Sequence, residues 1–565
     1  MNSMKKAILI TFLFCAAHLL YSQESVASAS GKATGTAGSV SYTVGQVFNA
    51  NVTGNNSNTI SEGVQQQHEK ITYTFNTSWL PNDPSGISFA EDDILVDTGN
   101  AIISNTTFCN TLTVNSGASL SSALAITFNK MTLKNGATFI PGNNTVTGDI
   151  TFERSLPNTD WHLISSPVSG ESVEDLIANH SLAIGTEDID NRGLASFVNT
   201  DSNPWNYKSA TSTGALNVAQ GYSIKLQAAA DISFTGIANT SDVTYTVSGG
   251  NSNNLYLLGN PFTSYVNSKV FLNKNTANLS EQSIWLWDGT TYQTYNAVSP
   301  LEIAPAQGFF VDIDDNVSNQ NIVFETSNQS HQSTDTFMRE ESIANFELSI
   351  ESDNTKSATK VFYVAGKTTG FDNGYDSKIF SGVTNNFSVY TELVGDKQGE
   401  KLAIQTLDKD DTSIISVGVI ANVGKEITFT LKSENLGEDV SVYLEDRLTG
   451  SFINVSETTY QATITEEAKG VGRFYIHTNG ASLSTENLNA NNISIYKSSF
   501  NEITINGLTD EATFTMFSVT GQKVLETRVR FNEQAKVRLP SLNSGIYIIR
   551  VSDGVHQINK KFVIN

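Results

Sequence analysis

Short stretches in which apolar and polar residues alternate follow one another along almost the whole chain. SVSYTVGQVF (Ser39 to Phe48), TLTV (Thr111 to Val114), MTLK (Met131 to Lys134), KVFYVAG (Lys360 to Gly366) and EITFTLKS (Glu426 to Ser433) are examples. A period of two puts successive side chains on opposite faces of a strand, so the pattern predicts half-buried strands. Gly, Asn, Ser and Thr fill the gaps, and these are residues that turns between strands demand. The predicted class is all-β, and 565 residues divide into several domains.

Two repeats organise the pattern. NSGASL (Asn115 to Leu120) and KNGATF (Lys134 to Phe139) are near copies 19 residues apart, each after a short alternating run. Strands with a Gly corner at this spacing predict a short β-solenoid over residues 71–155. A pair of hairpins with Asn-Gly turns is the alternative. Further on, WHLISSPV (Trp161 to Val168) matches LYLLGNPF (Leu255 to Phe262), and VAQGYSIKL (Val218 to Leu226) matches PAQGFFVDI (Pro305 to Ile313). A Trp-containing segment lies between the two motifs in each copy. Residues 156–335 are therefore read as a duplicated β domain, with Pro167 and Pro261 each ending a buried strand. This arrangement resembles a β module of large surface proteins of Bacteroidetes.

Residues 336–480 carry further strands at a spacing that suits a β-sandwich. The polar stretch ASLSTENLNANN, residues 481–492, reads as a linker. Residues 493–565 follow, with SIYKSSF, FSVTGQKV, LPSLNSGIYIIRV and DGVHQINKKFVIN in that order. This tail resembles the type A C-terminal sorting domain of the type IX secretion system. Lys497, Ser498 and Ser499 stand where that family has prolines. The resemblance implies an immunoglobulin-like seven-strand sandwich, read by the type IX secretion machinery. It implies a sorting signal that includes Gly521, Gly545, Tyr547, Lys560 and Lys561. Another sandwich domain without a sorting role is the alternative.

Charge and termini narrow the picture. Lys5 and Lys6 precede the mostly apolar run Ala7 to Leu20, so residues 1–22 read as a signal peptide. The run is short for a membrane span, and no transmembrane segment is expected after cleavage. A lipoprotein reading of Cys15 is disfavoured by Phe14. The expected location is the outer cell surface or the medium, reached through the periplasm. Residues 23–70 are small and polar, a β segment like the opening of secreted flavobacterial proteins. A formal charge of -23 argues against nucleic acid as a partner. Without Cys15, Cys109 is the single cysteine, so no internal disulfide is expected, and Cys109 reads as a buried apolar residue.

Candidate chemistry is sparse. The sequence has no zincin helix, no G-x-S-x-G elbow and no Walker loop. DIDNRG (Asp188 to Gly193) imitates a calcium loop, but Arg192 occupies a ligand place. FDNGYD offers Asp372, Asn373 and Asp376 on one turn, and calcium there is the one cofactor candidate. Trp205, Trp285, Trp287 and Tyr292 are candidates for stacking on a sugar, with core filling as the plainer fate. The resulting expectation is a non-enzymatic surface or secreted protein used for adhesion or matrix contact. A glycan-binding module protein, with surface polysaccharide or extracellular glycan as partner, is the alternative. An enzyme with an unrecognised site in 156–480 is the third reading.

Overall fold

The computed structural model describes residues 29–35, 38–44, 51–53, 59–61 and 68–564, apart from 143, 201–202, 251–252, 333–342, 396–398, 438–439, 466–467, 481–493, 500–501, 507–510, 519, 531–534, 541, 543–544 and 553–556. The signal peptide and the 481–492 linker read from the sequence lie outside the described residues. Two compact units emerge: residues 1–72 with 91–93, and residues 73–90 with 94–565.

The first unit contains two antiparallel hairpins, Ala29–Gly35 with Gly38–Val44 and Asn51–Thr53 with Thr59–Ser61. The strand predicted in SVSYTVGQVF is seen over Gly38–Val44, and residues 45–48 lie outside the described ones. In the same unit the buried carboxylate of Asp92 lies 2.6 Å from His68 Nε2 and accepts the backbone N–H of Ile71 at 2.8 Å.

The second unit opens with the solenoid. Asn100–Ile103, Ser119–Ser122 and Thr138–Ile140 form one parallel sheet. Thr107–Val114, Ile126–Leu133 and Val146–Leu156 form part of a second. The register sets Ser119 between Asn100 and Thr138, and Met131 between Leu112 and Ile150, so each step is 19 residues. Parallel neighbours cannot be joined by a tight hairpin, which excludes the hairpin alternative. Leu112, Met131 and Ile150 stack inside, as do Cys109 and Phe128, so Cys109 is a buried apolar residue as expected. Gly117 and Gly136, the same residue of the two near copies, take φ of 76° and 82° at the corner, a conformation costly for any residue with a Cβ.

The duplication is present with one strand order in both copies. His162–Ser165, Gly221–Ile224, Asn191–Phe197 and Trp205–Ser209 form a four-stranded sheet in that order. Leu255–Gly259, Gly308–Ile313, Leu279–Trp287 and Tyr292–Tyr295 form its counterpart. The register is the same: Leu163 pairs Ser223 as Leu257 pairs Phe310, and Ser165 pairs Gly221 as Gly259 pairs Gly308. Pro167 and Pro261 follow the equivalent strands. Ala219 and Ala306, equivalent in the VAQG and PAQG motifs, share positive φ of 62° and 59°. Each copy also carries a short helix that the period-two reading missed. These are Val173–Asn179, capped by Ser172, and Ser268–Asn275, capped by Asn267.

Each copy begins earlier than the sequence suggested. Val146–Leu156 pairs antiparallel with Ala230–Ala238, and Val243–Val247 pairs the same way with Gln320–Phe324. Val146–Leu156 thus serves both the solenoid and the first copy, and the boundary drawn between 155 and 156 falls inside a strand. The loop at residues 157–161 marks the end of this shared strand, whereas the join itself lies within continuous β pairing.

Between the copies the backbone bonds are reciprocal. Ser165 N–H donates to Ala306 O at 3.2 Å, and Gly259 N–H donates to Ala219 O at 2.9 Å. Equivalent residues exchange partners, which is the signature of an isologous, two-fold-related contact.

Residues 343–480 form a single eleven-stranded sheet rather than two separate ones. It closes around one core in which Phe346, Leu348 and Ile350 share a cluster with Val442, Leu444, Phe474 and Ile476. The tail places Ser494–Ser499, Glu502–Asn506 and Ala535–Arg538 in one sheet. Lys523–Val529, Ala512–Ser518, Gly545–Ser552 and Gln557–Ile564 make the other. Phe514, Met516, Ile549 and Phe562 lie in the core between these seven strands.

Candidate functional site

The four aromatic candidates converge, but inside the fold. Trp285 is buried, and Trp205, Trp287 and Tyr292 are half-buried around Leu163, Leu257 and Phe310. Phe380, from a loop of the eleven-stranded domain, closes this cluster. Its ring lies 4.0 Å from that of Tyr292 and 4.8 Å from that of Phe310. Trp285 Nε1 donates to the carbonyl of Lys378 at 3.1 Å. Burial pushes the Tyr292 phenol well above its ordinary value. These rings fill an interior between the repeats and the eleven-stranded domain, which is the ordinary fate of large aromatics in β domains.

The FDNGYD turn belongs to the same junction. Asp376 is fully buried and accepts the backbone N–H groups of Thr406 and Asp372, both at 2.6 Å. Asp372 accepts Thr368 N–H at 2.7 Å. Asn373 accepts Gln282 N–H at 2.8 Å from the second repeat. The three side chains are turned toward backbone donors, and no group of three or more His, Cys, Asp or Glu suited to a metal ion occurs among the described residues. Burial pushes the Asp376 carboxyl up to about 7. Across the junction, Glu281 is buried, accepts Lys378 N–H at 2.8 Å and is likewise pushed up to about 7 by burial. The turn is thus a clasp that seats one domain on the other.

The corresponding face of the first repeat has a different fate. Trp161 holds the position of Leu255, as the two strand motifs align. In the second copy the chain around Phe380 covers that position: a Cβ at Gly382 would sit 2.9 Å from Leu255 Cδ1. Register makes Ala195 and Ser223 the counterparts of Trp285 and Phe310, and Tyr207 the counterpart of Thr294. Small residues thus replace bulky ones on the first face, and large rings stand at its margin. Ala195 and Ser223 are themselves buried, and it is at the Trp161 end of this face that a cleft of about 520 Å³ opens, walled by Trp161 and Tyr207, with Glu187, Asp188, Arg192 and Lys225 around it. The two rings are 5.9 Å apart at 56°. Tyr207 is 42% exposed, and the Lys225 ammonium lies 5.9 Å from the Trp161 ring centre.

The loop that completes the cleft is held rigidly. Gly185 N–H donates to Asn191 O at 3.0 Å, and Lys225 and Gly193 exchange backbone bonds with their neighbours. Arg192 Nη1 donates to the carbonyls of Ile189, Asp190 and Asn191 at 2.9, 3.2 and 3.1 Å. In DIDNRG the guanidinium is thus turned back onto the backbone of its own loop, and Arg192 supplies no oxygen at the place where a calcium loop carries a ligand. Sequence reasoning missed this cleft. Trp161 stood out only as part of a strand motif, and Tyr207 was not singled out.

In the tail, Gly521 has φ of 81° in the turn after Ala512–Ser518, where its N–H donates to Ser518 O at 2.9 Å. Gly545 opens the penultimate strand. Tyr547 packs half-buried against a core that contains Ile549 and Val551. Lys560 is exposed and pairs with Ile549, while Lys561 pairs with Ile548 and its side chain lies outside the described residues.

Comparison with known proteins accords with this layout. Residues 72–301 and 289–477 match the family described as Domain of unknown function (DUF8693). The chain belongs to the DUF8693 family. The solenoid, both repeats and the eleven-stranded domain up to residue 477 fall within the DUF8693 match. Residues 476–565 match the Secretion system C-terminal sorting domain. The tail is that sorting domain, and it implies export, a cell-surface or secreted location and interaction with the type IX secretion machinery. No curated protein matches the chain. Among solved structures, a similar one is PorZ of Porphyromonas gingivalis, described as an essential bacterial surface component of the type-IX secretion system. Its identity to this chain is 11% and its TM-score 0.12, with 63% of this chain and 65% of that one covered. The chain therefore spans a little less than two thirds of PorZ, and a TM-score this low carries no argument.

Proposed function

We propose that this protein is a non-enzymatic contact protein of the cell exterior, delivered by its sorting domain to adhere to extracellular polymer or matrix. The observation that carries the reading is the pairing of a sorting domain at residues 476–565 with an open cleft on the first repeat. Export through this route brings the DUF8693 region to the outside, and the cleft offers ring faces and polar groups on a rigid β scaffold. Such a scaffold suits binding without chemistry, since pre-organised surfaces bind at low entropic cost.

The test is co-sedimentation of the purified full-length protein with insoluble polysaccharides and extracellular matrix preparations. The protein is expected to pellet with at least one of them and to leave it chemically intact. Failure to pellet with any, or release of new reducing ends or soluble fragments, would contradict this reading.

A further inference from the structure

We infer that the cleft on the first repeat is a binding site for a neutral oligosaccharide, stacked on Trp161 and Tyr207. The inference rests on the reading of the protein as a contact protein and names the ligand of that contact. Three observations carry it.

The first is the comparison of the two copies. The same face exists twice, built by strands in one order and one register. In the second copy it is filled by Trp285 and Phe310 and sealed by Phe380, a ring supplied by the chain itself. In the first copy the counterparts Ala195 and Ser223 are buried, and the cleft opens at Trp161, whose counterpart Leu255 is buried. The end of the face that the chain covers in one copy is left open in the other, with two ring faces on which a flat apolar group can lie. A pyranose presents such a group through the C–H bonds on its face.

The second is the rim. Two acidic side chains, Glu187 and Asp188, and two basic ones, Arg192 and Lys225, line the cleft, so its formal charges cancel in a chain of -23. A polyanion gains nothing there, and the surrounding charge repels it. Carboxylate, ammonium and the amides of Asn191 and Asn203 supply both donors and acceptors, which is what hydroxyl groups of either sense require.

The third is rigidity. Gly193 is pressed against Lys225 O and Gly185 against Asp188 O, so closely that a Cβ would lie 2.3 and 2.2 Å from those oxygens. Together with the three carbonyls gathered by Arg192, this fixes the rim before a ligand arrives, and a pre-formed site loses less entropy on binding.

The experiment uses the purified full-length protein on an array of neutral, sialylated and sulfated oligosaccharides. Titration calorimetry then follows with cellohexaose, mannohexaose and chitohexaose. Binding to at least one neutral oligosaccharide is expected. Trp161→Ala and Tyr207→Ala should each weaken it by about tenfold or more, and Tyr207→Phe should weaken it less because it keeps the ring. All three variants should melt with the wild type, since neither ring belongs to the core. If Trp161→Ala melts early, Tyr207→Ala and Tyr207→Phe decide alone. Binding confined to acidic glycans, or neutral binding indifferent to the ring deletions, overturns the proposal. So does the absence of any binding on the array and in the titrations. Co-sedimentation separates this failure from that of the wider reading. If the Trp161→Ala/Tyr207→Ala double variant still pellets with polymer, the contact role stands and the cleft proposal falls. If the wild type does not pellet at all, the contact role itself falls.

Discussion

Ser165 and Gly259 are the same residue of the two repeats and meet face to face across the two-fold relation between them. A Cβ placed on Gly259 would lie 2.1 Å from Ser165 Cβ, so the junction has room for one side chain, not two. The first copy supplies it, and Ser165 Oγ uses it to donate to the Asn260 carbonyl at 3.0 Å.

This gives a prediction with its own rescue. Gly259→Ala should destabilise the protein by about 1–3 kcal/mol, the range of overpacking in a filled core. Ser165→Gly in the same chain should restore most of the loss, because the single Cβ then comes from the other copy. Urea denaturation of the wild type, the single variants and the double variant measures the coupling. Additive effects of the two substitutions would show that the residues do not share one space.

Phe380 joins the eleven-stranded domain to the repeats. Phe380→Ala should cost about 3–5 kcal/mol, the range for large core aromatics. The emission of the nearby tryptophans should shift to the red as Trp285 and Trp287 meet water. A loss below 1 kcal/mol with unchanged emission would mean that the two domains are held elsewhere.

Titration of the buried groups should run in two opposite directions. Glu281 and Asp376 have carboxyls raised from ordinary values of 4.5 and 3.8 to about 7 by burial. The folded state then holds protons that the unfolded state has released. Their stabilising contribution is therefore full below pH 4 and is lost as the pH rises toward 7. His331 bridges Ser121 Oγ at 2.8 Å and Thr138 Oγ1 at 2.7 Å, and burial pushes it down to about 4. Its contribution is full above pH 6.5 and is lost as the pH falls toward 4. Single variants separate the two. Glu281→Gln should be more stable than wild type at pH 8, by up to roughly 3 kcal/mol, with the gain vanishing at pH 4. His331→Gln should lose less stability than wild type between pH 6.5 and 4. Melting curves from pH 4 to pH 8 decide, and parallel pH profiles for all three proteins would contradict the assignments.

Much of this architecture was legible because it is periodic. The Gly corners of NSGASL and KNGATF recur at 19 residues, and that spacing is the coil of the solenoid. The motifs around Pro167 and Pro261 announced two copies whose strands pair in one register. What stayed hidden depends on distant partners. Trp161 and Leu255 both read as apolar strand positions, and only the loop carrying Phe380 decides that one is sealed and the other open. Trp205, Trp285, Trp287 and Tyr292 drew attention as large rings, yet ring size does not tell a stacking platform from a core. Asp372, Asn373 and Asp376 carry the composition of a cation loop, but their backbone donors come from Thr368, Thr406, Gln282 and the turn itself. Val146–Leu156 gave no boundary signal because one strand completes two structures.

The central claim is that the sorting domain carries the DUF8693 region out of the cell, and a chain ending at Gly480 tests it most directly. In the native host, the full-length protein and the truncated one are quantified in the medium, on protease-accessible surface and inside the outer membrane. The account predicts that the full-length protein is found outside and that the truncated protein accumulates inside, folded and protected from external protease. Truncated protein outside intact cells in normal amounts would contradict it.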